Sequence, residues 1–97
     1  MSYEIVLKDI VGDFAENKDL AREIRINKII PALEKKEEVV LDFSGVNSVT
    51  QSFVHALISS LMRQYGDDVL EVISFKNCNE TVSKIISIVV EYMQESV

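Results

Sequence analysis

Apolar residues along this chain come either in short dense runs or at three- and four-residue intervals, and the alternation between the two marks out its elements. Tyr3–Leu7 (YEIVL) is short and rich in β-formers and reads as a strand. Val39–Phe43 (VVLDF) is nearly continuous in apolar residues, the pattern of a central strand buried on both faces. Val69–Phe75 (VLEVISF) alternates and reads as a third strand. Gly12-Asp13 marks a turn or bulge, and Val11–Phe14 is a further short strand candidate. Between the runs lie helical repeats. Asn17–Leu33 reads as a helix that Asn17 or Asp19 can cap, and Ala21, Arg22, Glu23 and Arg25 favour it. Leu20 and Ile24 mark one apolar stripe on it, and Ile26, Ile30 and Leu33 mark a shifted one. Pro31 removes a backbone donor late in that helix and predicts a kink or an early end. Lys35–Glu38 is a charged turn.

Gly45 ends the central strand, and Ser48–Tyr65 contains the second helix. Its apolar positions are Val54, Leu57, Ile58, Leu61, Met62 and Tyr65, with Gly66 as a left-handed C-cap. Asn77 and Glu80 have capping-box spacing before a third helix, whose core face is Val82, Ile85, Ile86, Val89 and Met93. The order β-α-β-α-β-α, with right-handed crossovers, predicts an α/β fold. The expected architecture is a mostly parallel sheet of three to five strands packed with about three helices. Residues 1–97 form a single domain in this reading.

Charge narrows the partners. The formal net charge is −6, which argues against nucleic acid and against an anionic membrane surface. The only cysteine, Cys78, allows no internal disulfide, and neither a leader nor a run of membrane-spanning length is visible. A cytoplasmic location is expected. The only histidine, His55, lacks a Cys or acidic cluster beside it, so no metal, cofactor or catalytic role is expected there. Cys78 precedes the third helix, where a thiol can be activated; with no base beside it in sequence, a structural thiol is the expectation. Asp42 sits in the central strand, where its carboxylate can orient the following loop. No phosphate-cradling loop and no Ser-His-acid set is present, so enzymatic activity is not expected. The third helix is apolar around about half its circumference, wider than the roughly 100° stripe a surface helix needs. Ile88 and Tyr92 are the extra positions and form a candidate strip for a dimer or partner.

The segment Val39–Leu57, VVLDFSGVNSVTQSFVHAL, carries a resemblance. It is similar to the signature stretch of STAS (anti-sigma-factor-antagonist) domains, in which a strand leads through a short loop to Asp-Ser-Ser-Gly-Leu at the start of a helix. It resembles most closely the STAS-like bacterial domains of unknown function. The resemblance implies a regulatory protein-interaction module. In antagonist-type relatives a serine at that helix start is phosphorylated by a histidine-kinase-like ATPase, and phosphorylation releases the partner. Register places Thr50 at the family's Asp, Gln51 and Ser52 at its two serines, and Phe53 at its glycine. Ser52 is thereby the candidate phospho-acceptor, and Thr50, Gln51, Ser52, Phe53 and His55 form the candidate partner face, with the loops Gly45–Thr50 and Lys76–Asn79 beside it. Three departures stand out: threonine for the acid, glutamine for the first serine, and a bulky Phe53 at the expected surface. The plainer reading keeps Ser48 or Thr50 as an ordinary N-cap and Ser52 as a first-turn polar residue. A structural subunit acting as a homodimer is the alternative function, and nucleotide binding a third.

Overall fold

The computed structural model describes residues 2–95. Strands β1 (Ser2–Val6), β3 (Glu38–Asp42) and β5 (Ile73–Lys76) form a parallel sheet in the order β1-β3-β5. A second, two-stranded parallel pair joins β2 (Phe14–Ala15) to β4 (Ser48–Val49). The helices are α1 (Lys8–Val11), α2 (Lys18–Ile24), α3 (Ile30–Glu34), α4 (Gln51–Tyr65), α5 (Val69–Val72) and α6 (Glu80–Glu95). The α/β architecture with parallel strands and three main helical rods is as the sequence predicts.

The register explains which way the sheet faces. Tyr3 pairs with Val39, and Val39 with Ile73; Ile5 pairs with Leu41, and Leu41 with Phe75. Ile5, Val39, Leu41 and Ile73 are buried, and Tyr3 and Phe75 pack against them. The intervening rows, Glu4–Val40–Ser74 and Val6–Asp42–Lys76, lie on the other face. There Val6 is 39% exposed, and Val40 and Asp42 are only half-buried. The central strand is therefore buried on one face, not on both as its dense apolar run suggests. Topology supplies the reason. Strands laid down in one direction with right-handed crossovers bring every connecting helix back to the same side.

The first helical rod holds an unexpected feature. Helical backbone runs from Lys18 through Glu34, but Arg25–Ile29 is a π-helical turn, closed by Ile30 N–H donating to the Arg25 carbonyl. Its buried positions are Ala21, Ile24, Ile29 and Ala32. In a regular α-helix, the five-residue step from Ile24 to Ile29 would swing the side chain about 140° off the core face. The widened turn restores it, and the buried line continues through Ile29 and Ala32; of the expected second stripe, Ile26 is 43% exposed and Ile30 and Leu33 are only half-buried. The widened turn also absorbs Pro31: the bond that proline cannot make falls on Asn27, inside the π turn, so the helix continues to Glu34 without the expected early end. The rod closes with a Schellman pattern, in which Lys36 N–H donates to Leu33 (2.9 Å) and Glu37 N–H to Ala32 (3.0 Å). Lys36 takes the left-handed position at φ 61°, where glycine is usual.

Other boundaries move by a few residues. Lys8–Val11 is a helical turn, so the short strand begins at Phe14 instead of Val11. Val69–Val72 is also a helical turn, begun by Val69 N–H donating to the Gly66 carbonyl (3.2 Å), and only Ile73–Lys76 is strand. Gly66 has positive φ (78°) but an extended ψ of −176°, not a left-handed helical cap. Asn79, not Asn77, caps α6. Its Oδ1 accepts from Val82 N–H at 2.8 Å, while its Nδ2 donates to the Asn47 carbonyl at 2.9 Å. Asn77 instead bends the chain at φ 59°.

Candidate functional site

The small β2–β4 pair positions the candidate face. Ala15 pairs with Val49, and Thr50 N–H donates to the Ala15 carbonyl (3.0 Å). Helices α2 and α4 start a few residues beyond these rungs, so their first turns lie side by side. Asn17 caps α2 through Oδ1, accepting from Asp19 N–H (2.9 Å) and Leu20 N–H (3.2 Å). Thr50 caps α4, its Oγ1 accepting from Phe53 N–H at 3.1 Å. Ser48 lies in β4, so the choice between the two falls on Thr50. A capping role suits Asp, Ser and Thr alike. Threonine at this position is thus a sufficient cap.

From this cap the helix period distributes the residues. Phe53, Val54, Leu57 and Ile58 turn into the core, Gln51 and Ser52 are exposed, and His55 and Ala56 are half-buried. Phe53 is 0% exposed. The expectation that it presents a ring to a partner is overturned: it lies four residues before Leu57, on the face that packs inward. Arg25, from the π turn, donates through Nη1 to the Ala56 carbonyl at 2.7 Å and ties the first helical rod to α4.

On α6, Val82, Ile86, Val89 and Met93 are buried, while Ile88 is 40% and Tyr92 63% exposed. These two face the start of α4. Lys18 of α2, Gln51, Ser52, His55 and Ala56 of α4, and Ile88, Val89 and Tyr92 of α6 line one open groove of about 490 Å³. The structure so unites two candidate sets that the sequence leaves separate: the helix start with Ser52, and the Ile88–Tyr92 strip. Lys18 is the member that sequence reasoning missed. The β2–β4 register and the packing of α2 along α4 bring it there, and no local motif announces it.

The two flanking loops are joined to each other outside the groove. Asn79 bridges them through Asn47, and Asp42 accepts from Ser44 N–H (2.9 Å) and Asn77 Nδ2 (3.0 Å). Asp42 therefore orients the loop after β3. The Asn77 and Ser44 hydrogen bonds hold its carboxyl below the ordinary value of 3.8, with Lys76 assisting against a desolvation penalty. Cys78 is half-buried in a separate hollow beside Ser83 and Ile86. Desolvation, followed by the charge of Asp42, pushes its thiol above 9.0, the opposite of activation. Among the described residues no acidic side chain lines the groove, so none of them orients His55 as a base there. Among the described residues no group of His, Cys, Asp and Glu could hold a metal ion, and no helix is long and apolar enough to cross a membrane.

A parallel sheet with its helices returned to one side, and a capped helix start opening from its middle crossover, defines a STAS-like α/β domain. The chain belongs to the family described as STAS-like domain of unknown function (DUF4325), which matches residues 20–83. That span runs from α2 through the first turn of α6 and includes the helix start and Ser52. No curated protein and no solved structure matches the chain.

Proposed function

We propose that this domain is a regulatory protein-interaction module whose binding face is the α2–α4–α6 groove, and that it binds without catalysing. The observation that supports this is the gathering of exposed Ser52, half-buried His55 and the exposed apolar Ile88 and Tyr92 around one open groove. Scattered exposed apolar residues need no explanation, but a group rimmed by polar side chains marks an interaction surface. By analogy with antagonist-type STAS domains, the partner is a histidine-kinase-like ATPase or another signalling protein. Ser52 is the phospho-acceptor in this reading. Such a kinase transfers the γ-phosphoryl group of ATP to Ser52 Oγ, the hydroxyl proton is lost and ADP leaves. The phosphate would sit in the first turn of α4, where unpaired N–H groups favour an anion. It would bring a charge of about −1.5 to −2 to the face and change its affinity without unfolding the domain.

A photo-crosslinking residue at position 92, compared with one at Lys36 on the far turn, tests the reading in cells that express the chain. The expected result is a discrete heterologous adduct from position 92 alone, weakened by Ser52→Asp. Absence of any adduct at position 92 rejects the face. The exposure of Ile88 and Tyr92 also favours a second reading, a homodimer acting as an assembly subunit. An adduct of twice the chain mass, matched by a dimer in light scattering, would select that reading.

A further inference from the structure

We infer that the groove selects a partner segment bearing one isolated carboxylate among apolar side chains, and that Lys18 reads that carboxylate. The inference rests on the interaction reading above and adds the partner's chemistry. The chain carries 16 acidic residues against 10 Lys and Arg, yet among the described residues no acid lines the groove. Its one permanent charge among the described residues is Lys18, and its apolar lining is Ala56, Ile88, Val89 and Tyr92. An acidic protein that keeps its acids out of one groove and places a lysine at the rim creates local complementarity to a negative group. Asp19, next in sequence to Lys18, is exposed and does not line the groove.

The same charges limit how acidic the occupant can be. A net charge of −6 repels an anionic chain at distance. An acidic tract gains one favourable contact at Lys18 and meets repulsion everywhere else. A single acid in an otherwise uncharged apolar segment gains the contact without that opposition. One lysine is also too few for a nucleic-acid backbone or an anionic membrane, which need clusters of basic residues. Ile88 and Tyr92, four residues apart on one helix, offer apolar contacts about 6 Å apart along the axis. A helical segment with apolar side chains at matching spacing and one Asp or Glu beside them fits this surface.

The test is selection from a displayed library of helical peptides on the immobilised full chain, followed by fluorescence polarisation with the enriched sequences. Enriched peptides should combine apolar residues at helical spacing with one Asp or Glu. Replacing that acid by Lys should weaken binding roughly tenfold or more, and Lys18→Glu should restore the Lys peptide while rejecting the original. Glutamate suits the first helical position, so Lys18→Glu leaves α2 intact, and circular dichroism checks this. Enrichment of acid-free or basic peptides, indifference to Lys18→Glu, or no enrichment overturns the inference. If position 92 still gives a heterologous adduct in any of these cases, the interaction reading stands and only the partner chemistry fails. A groove filled by a second copy, seen as dimerisation abolished by Ile88→Glu, also overturns it.

Discussion

Phe53→Ala separates a core anchor from a contact residue. Phe53 is 0% exposed and lies in the first turn of α4, among the largest fully buried side chains of the domain. Truncating a buried phenylalanine costs about 3–5 kcal/mol, combining lost burial with the cavity left behind. A domain of this kind has about 5–15 kcal/mol in total. In urea, with a slope of about 1–3 kcal/mol/M, the unfolding midpoint should fall by at least ~1 M at unchanged slope. The thermal midpoint should fall by at least ~12 °C, taking about 4–8 °C per kcal/mol. The assay is urea unfolding followed by far-ultraviolet circular dichroism, with Gln51→Ala and Ser52→Ala as neighbours on the exposed side. Those two should stay within about 0.5 kcal/mol of the parent. A Phe53→Ala midpoint indistinguishable from theirs would refute the placement of the ring and return it to the surface.

Four further outcomes follow from local geometry. Thr50→Ala should cost about 0.5–2 kcal/mol by removing the acceptor for Phe53 N–H, and Thr50→Asp should cost almost nothing, both read in the same urea assay. Lys36→Gly should raise stability by about 0.5–1 kcal/mol, because it relieves a left-handed side-chain position at φ 61°; a fall in the midpoint would contradict the Schellman assignment. The Asp42 carboxyl is more acidic folded than unfolded, so its stabilising contribution is whole above the ordinary 3.8 and fades as pH falls through the lower folded value. An NMR titration of Asp42 should therefore show a midpoint below 3.8, and a midpoint at or above it would refute the Asn77 and Ser44 contacts. Cys78 should react slowly with thiol reagents at pH 7, since its thiol titrates above 9.0; rapid labelling at pH 7 in the folded state would argue against its burial.

Much of the fold is legible from apolar spacing, and the departures have identifiable physical causes. Val39–Phe43 stands out because its dense apolar run meets no competing helical period, although its two faces differ in burial. Val69–Phe75 is ambiguous in its first half. Val69, Val72 and Ile73 satisfy helical spacing while Val69, Ile73 and Phe75 share the parity of a strand face, and the turn begun by the Gly66 carbonyl decides for a helix over the first four residues. The π turn lies behind a five-residue step between buried Ile24 and Ile29, which regular helical spacing passes over; the spacing instead picks out Ile26, Ile30 and Leu33, none of which is buried. Phe53 shows a different cause. Its spacing to Leu57 marks it as core, but the family register sets it at a glycine beside the phospho-acceptor and draws it toward the surface. For the candidate site, the exposed Gln51 and Ser52 and the Ile88–Tyr92 strip are readable one helix at a time. Their meeting in one groove depends on the packing of α6 against α4, and the presence of Lys18 on the packing of α2 against α4 beside the β2–β4 pair, long-range contacts that no local pattern signals.

Strand order bears on where binding can occur in such a domain. Ligands of open parallel sheets usually sit beyond the carboxyl ends of the strands, in the crevice where strand order reverses and successive helices leave to opposite faces. The order β1-β3-β5 has no reversal, so that crevice does not form. The space beyond the strand ends is occupied instead. Lys8 lies so close over Gly45 that a Cβ there would fall 2.5 Å from Lys8 Cδ, and Asp42 holds Asn77 and Ser44 across the top of β3 and β5. The open sheet face offers little in exchange. The salt bridge it carries, Lys76 to Glu4 at 3.8 Å, joins side chains about half exposed, a type worth only about 0–1 kcal/mol. A nucleotide-binding reading thus lacks the topology it would normally use. The helix layer has what the strand ends lack: an open groove whose apolar wall comes from one helix and whose polar rim comes from the starts of two others.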